Sequence, residues 1–92
     1  HIRECASAVP ANLAEGFCRY SHKQFAHFAV IARSSLAETQ VRLKDGSDRH
    51  YLSRETYQEL FRLANRAMIA ITRLHTYLRT HPDPTFPPRN RA

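Results

Sequence analysis

The chain has 92 residues, 42% apolar and 24% charged, which is enough for one small domain and ordinary for a globular protein. No apolar run approaches the ~20 residues a membrane span needs, and no secretory signal pattern is visible, so a membrane-embedded role is not expected. The net charge of +6, from fourteen Lys and Arg against eight Asp and Glu, suits an acidic partner, with nucleic acid the leading one.

Residues 2–15 (IRECASAVPANLAE) read as helix. Pro10 removes a backbone donor and crowds the preceding turn. The segment is therefore either one helix kinked at Pro10 or a short helix capped by Ser7. The kinked helix is preferred, because Ile2, Ala6, Val9 and Leu13 keep a helical stripe through it. Gly16 is expected to supply the left-handed residue that ends the helix. Ser21 and Gln24 have the S-x-x-Q form of a capping box, in which each side chain takes the other's backbone amide.

A second helix is predicted over 22–44. Phe25, Phe28, Ala32, Leu36, Thr39 and Leu43 fall on one face. Ala26, Val30, Ala37 and Val41 form a second face of smaller residues, and two faces imply two neighbours. Asp45, Gly46, Ser47 and Asp48 break the pattern, so 45–52 reads as a loop. Ser53 caps the last helix, 54–80, with Glu55 near its positive end. Here Tyr57, Ala64, Ile71 and Leu78 recur every seven residues beside Leu60, Ala67 and Leu74, which is a bundle seam. Leu63, Ala70 and Tyr77 continue round one flank, and Ile69 lies roughly opposite the seam. These four are more apolar surface than a monomer needs and read as a subunit contact. After His81 the chain is HPDPTFPPRNRA, a basic Pro-rich tail that is extended or disordered. The organisation is thus a helical domain over 1–81 and a tail over 82–92. The fold class is all-α, an antiparallel up-and-down helical bundle.

The string ASAVPANLAEGFCRYSHKQFAHFAVIARSSLAETQ resembles the signature of the four-helix-bundle family named for proteins encoded in 23S rRNA intervening sequences. Its pieces here are Pro10, Asn12 to Phe17, Ser21, Lys23 to Phe25, and Ala32 to Glu38. YLSRETYQEL is similar to the family's entry into its last helix, and the resemblance covers roughly residues 2–80. Cys18 stands where the family usually has glycine, and the loop at 45–52 looks longer and more polar than is common. The resemblance implies three helices of a four-helix bundle whose first helix is absent from this chain. The chain also starts at His1 rather than Met, as a fragment would. For function it implies a small cytoplasmic bacterial protein that forms homopentamers. Through a related branch, the accessory proteins of diversity-generating retroelements, it implies a basic ring that engages a reverse transcriptase and nucleic acid.

The basic residues form three groups. Arg62, Arg66 and Arg73 lie on the side of the last helix away from the seam. Arg42, Lys44 and Arg49, with His50, stand at one end of the bundle, and Arg19 and Lys23, with His22, at the other. These are the expected phosphate contacts on RNA or DNA. The competing reading is a solvated face with Glu55 and Glu59 paired to Arg62 and Arg66. Pro10, Asn12, Glu15, Gly16, Ser21 and Gln24 are read as a structural corner, with Asn12 and Glu15 tying down the turn or pairing with Arg33 or Arg19. Cys5 and Cys18 form neither a CxxC pair nor a zinc spacing, and read as reduced thiols, one of them packed inside. Catalysis is not expected. No HExxH, GxSxG or phosphate-cradling loop is present, and Cys18 with His22 lacks a third group. Cys18, His22 and His27 make an incomplete metal set, so neither cofactor nor metal is expected. The function read is a non-enzymatic homo-oligomer that binds nucleic acid or a nucleic-acid enzyme. The alternative is a structural or protein-interaction module with an incidental basic surface.

Overall fold

The computed structural model describes residues 1–83. It contains three helices, α1 (Ile2–Phe17), α2 (His22–Asp48) and α3 (Arg54–Thr80), and no strand among the described residues. Short connections make neighbours antiparallel. α1 packs on α2 and α2 on α3, while the backbones of α1 and α3 stay apart, so α2 is the central helix.

Pro10 sits inside an unbroken α1, in line with the preferred reading. The carbonyl deprived of its donor belongs to Ala6, which is exposed and can bond to water. Gly16 does not act as expected. No glycine among the described residues has positive φ, and α1 runs on to Phe17. The reason for glycine is space. A β-carbon on Gly16 would lie 2.7 Å from Phe25 Cδ1 and 2.9 Å from Phe28 Cβ. The missing side chain thus lets α1 close onto the first turns of α2.

Ser21 caps α2 as predicted, its Oγ accepting the Gln24 amide at 3.1 Å. The reciprocal bond from Gln24 is not among those formed by the described residues. A carboxylate takes part instead: Asp83, beyond the end of α3, accepts the His22 amide at 2.7 Å. His22 Nδ1 also contacts the His81 carbonyl at 3.0 Å. Residues 81–83 therefore lock onto the start of α2, two of them past the expected domain boundary. The rest of the predicted tail, 84–92, lies outside the described residues. Replacing the carboxylate at an N-terminus of this kind costs about 1 kcal/mol. Asp83→Asn should accordingly lower Tm by roughly 4–8 °C. An unchanged melt would show that the contact contributes nothing.

The predicted loop over 45–52 is shorter than expected. Asp45 to Asp48 complete the last turn of α2, held by i,i+4 pairs: Lys44 Nζ to Asp48 at 2.7 Å and Arg49 Nε to Asp45 at 3.1 Å. The helix ends in a Schellman motif, with Tyr51 N bonded to Gly46 O at 2.8 Å and His50 N to Ser47 O at 3.0 Å. The left-handed position is His50, at φ 63°, where glycine would be relaxed. His50→Gly should therefore raise stability by about 1 kcal/mol, read as a higher denaturation midpoint. A lower midpoint would contradict this account of the cap. Ser53 caps α3 as expected, accepting the Thr56 amide at 3.1 Å.

The core is built on small residues of α2. Ala29 and Ala32 are fully covered and pack with Leu36, Ala64 and Ile71, flanked by Val9, Leu13, Ala67 and Met68. Phe25, Ala26 and Leu78, with Leu74, form a second cluster towards the end where α2 begins. The second face of α2 is covered only in part. Ala26 is buried, but Val30, Ala37 and Val41 reach solvent, lining shallow grooves beside α3. Thr39 is buried and bonds the Ser35 carbonyl at 2.9 Å.

Candidate nucleic-acid interface

At about 100° per residue, Arg62, Arg66 and Arg73 fall within roughly 40° of one another on α3. All three are exposed. Among the described residues none of them has a salt bridge, and the expected pairing with Glu55 and Glu59 is not formed. Glu59 does line a shallow groove with Arg62, Leu63 and Arg66, so this stripe is basic with an acidic end.

The other predicted basic contacts are mostly engaged. Arg42 Nη2 stands 3.6 Å from Glu38, Lys44 pairs with Asp48, and Arg49 with Asp45. Arg19 pairs with Glu15, and its guanidinium lies 4.8 Å from the centre of the Phe28 ring. This Arg19–Glu15 pair, with Asn12 Nδ2 donating to the Ala8 carbonyl at 2.8 Å, makes the 10–24 stretch a helix corner. Arg33 takes no part in it. Lys23 is exposed and lines a cleft at the end of the bundle where α2 starts and α3 ends, with His22, His27, His75, Arg79 and Asp83. His75 is held below the ordinary imidazole range by partial burial and by the positive charges of Arg33 and Arg79. Arg79 and His75 were missed in the sequence because only the packing of α3 against α2 brings them to Lys23 and His27.

The predicted subunit-contact residues are all exposed, Leu63 at 51%, Ile69 at 52% and Tyr77 at 50%, and Ala70 likewise. They do not form one patch. Leu63, Ala70 and Tyr77 share a row beside Leu60, Ala67 and Leu74. Ile69 lies about 100° round from Ala70, within the arginine side. Tyr77 stacks on the His81 ring at 3.9 Å. On α1, Ile2 and Phe17 are exposed as well, and Phe17 meets the Phe25 ring edge-on at 6.3 Å.

Both thiols are free. Cys5 is buried and Cys18 half-buried. Burial and the neighbouring Glu38 carboxylate push the Cys5 thiol upward, so it is not an activated nucleophile as it stands. His22 is committed to the His81 carbonyl. No helix among the described residues is long and apolar enough to cross a membrane.

The family model described as 23S rRNA-intervening sequence protein matches residues 1–73. No curated protein and no solved structure matches the chain.

Proposed function

This chain belongs to the 23S rRNA-intervening sequence protein family, and from that premise we propose that it is a non-enzymatic, cytoplasmic, homo-oligomeric bundle that binds nucleic acid through the arginine side of α3. One observation carries the reading. Of the predicted basic contacts, Arg62, Arg66 and Arg73 are exposed, carry no salt bridge among the described residues and share one side of α3, Lys23 is exposed and unbridged but stands apart at the end of the bundle, and Arg19, Arg42, Lys44 and Arg49 are paired. A cation without a partner keeps its charge available for a phosphate. A paired one must first give up its carboxylate. The net charge of +6 adds a long-range attraction of the same sign.

Assembly is the second half of the proposal. The row Leu60, Leu63, Ala67, Ala70, Leu74 and Tyr77 presents apolar side chains at a seven-residue repeat along α3, which is the pattern one helix offers another. Burying it between copies would leave the arginine side outward and repeat it once per subunit. A homopentamer is the number we propose, by resemblance to the family. The ligand is RNA or DNA, and a nucleic-acid enzyme such as a reverse transcriptase is the protein partner of that same basic surface. The test is anisotropy of labelled RNA and DNA across a salt series, with the mass read by light scattering. Salt-sensitive binding by an oligomer supports the proposal. An intact oligomer with no affinity at physiological salt favours a structural or protein-interaction module instead.

A further inference from the structure

The sequence offers no metal spacing, yet folding brings three different ligand types together at the far end of the α1–α2 pair. His1 and Cys5 are four residues apart at the start of α1, and so share one face. Glu38 reaches them from antiparallel α2. His1 Nε2 is 3.0 Å from Glu38 Oε2. The imidazole nitrogen, the Cys5 sulfur and a Glu38 oxygen all lie within 4.8 Å of one another. Cys5 is only 6% exposed, while His1 and Glu38 face solvent.

We propose that His1, Cys5 and Glu38 form a binding site for one divalent transition-metal ion of the zinc class. The donor set selects the metal. Thiolate and imidazole favour zinc or cobalt over magnesium or calcium, and a carboxylate completes three protein ligands with a fourth position left for water. The geometry is within reach. Bonds of about 2.3 Å to sulfur and 2.0–2.1 Å to nitrogen and oxygen place tetrahedral ligand atoms roughly 3.2–3.8 Å apart. The two exposed side chains can make that adjustment, while the buried cysteine stays fixed by packing. Binding replaces the His1–Glu38 contact by bonds from both residues to one ion. The Cys5 S–H bond breaks, its proton leaves to solvent, and the sulfur bonds the metal. The charge of the ion is then balanced by one thiolate and one carboxylate. Arg42, 3.6 Å from Glu38, is the competing cation. It is an exposed partner, of the kind that contributes little, and it yields to a bound ion. The site ties α1 to α2 at the end opposite the Gly16 contact, so metal at one end and close packing at the other would hold the pair.

Cobalt(II) titration of the reduced protein tests this directly. The expected result is one ion per chain, with a thiolate-to-cobalt charge-transfer band and tetrahedral visible absorption, both abolished by excess zinc. Cys5→Ser should lose the charge-transfer band, and Cys18→Ser should keep it. His1→Ala removes only an exposed side chain, so it leaves the fold intact and should still lose tetrahedral binding. The proposal is overturned if no thiolate band appears at saturating cobalt. It is equally overturned if the band depends on Cys18. None of these readouts involves nucleic acid, so the result stands apart from the proposed function.

Discussion

Gly16→Val should lower the stability of the bundle by about 3 kcal/mol, because it forces side-chain atoms into a contact that is already closed. The β-carbon alone would meet Phe25 Cδ1 at 2.7 Å and Phe28 Cβ at 2.9 Å. The Phe25 ring is buried in the cluster with Ala26 and Leu78, so it has little room to turn aside. The Phe28 β-carbon is fixed to the α2 backbone and cannot move without the helix. Helix propensity works the other way but is smaller, since replacing glycine inside a helix gains at most about 1 kcal/mol. Gly16→Ala should therefore also destabilise, by less than Gly16→Val. Denaturant unfolding followed by helical ellipticity measures both. A native-like midpoint for Gly16→Val would mean that α1 does not sit on Phe25 and Phe28 as described.

The second large effect concerns binding. Arg62→Glu with Arg66→Glu should weaken nucleic-acid affinity by about 30-fold at physiological salt, with two phosphate contacts removed at roughly 0.9 of a counterion each. Reversal of the charge adds repulsion to that loss, and repetition across subunits multiplies it wherever one ligand spans several copies. Both side chains are exposed and neither packs in the core, so the melting temperature should stay close to that of the parent. Arg42→Glu with Arg49→Glu is the matched comparison. These arginines already face Glu38 and Asp45, and their reversal should cost less affinity. Equal losses from the two pairs would indicate diffuse attraction by net charge rather than a defined face.

These expectations rest on a fold that local chemistry wrote clearly into parts of the sequence. The capping serines at 21 and 53 and the seven-residue rows of α3 each depend on neighbours a few positions away, and each is found where the pattern placed it. The end of α2 was misread because a glycine between aspartates signals a turn, while the two i,i+4 pairs that carry the helix through Asp48 are individually weak. His50 took the left-handed place that glycine usually fills, and no local pattern announces that substitution. Gly16 was recognised as important for a reason that proved wrong: its role is clearance for Phe25 and Phe28, which depends on how two helices pack. The corner formed by Glu15 and Arg19 was legible at its i,i+4 spacing. The cleft joining Lys23 and His27 to His75 and Arg79, the lock made by Asp83, and the cluster of His1, Cys5 and Glu38 all unite residues more than thirty positions apart. Spacing along the chain carries no trace of them.

The arginine side of α3, repeated round an oligomer, is the surface proposed to bind phosphate. The most direct test is the slope of log affinity against log salt for labelled RNA and DNA, taken for the parent chain and for Arg62→Glu with Arg66→Glu, with the mass of both fixed by light scattering. The expected result is an oligomeric parent with a slope of several units, reduced by about 2 in the variant at unchanged mass. A slope that is the same in both proteins, or a parent oligomer with no affinity at physiological salt, would contradict it.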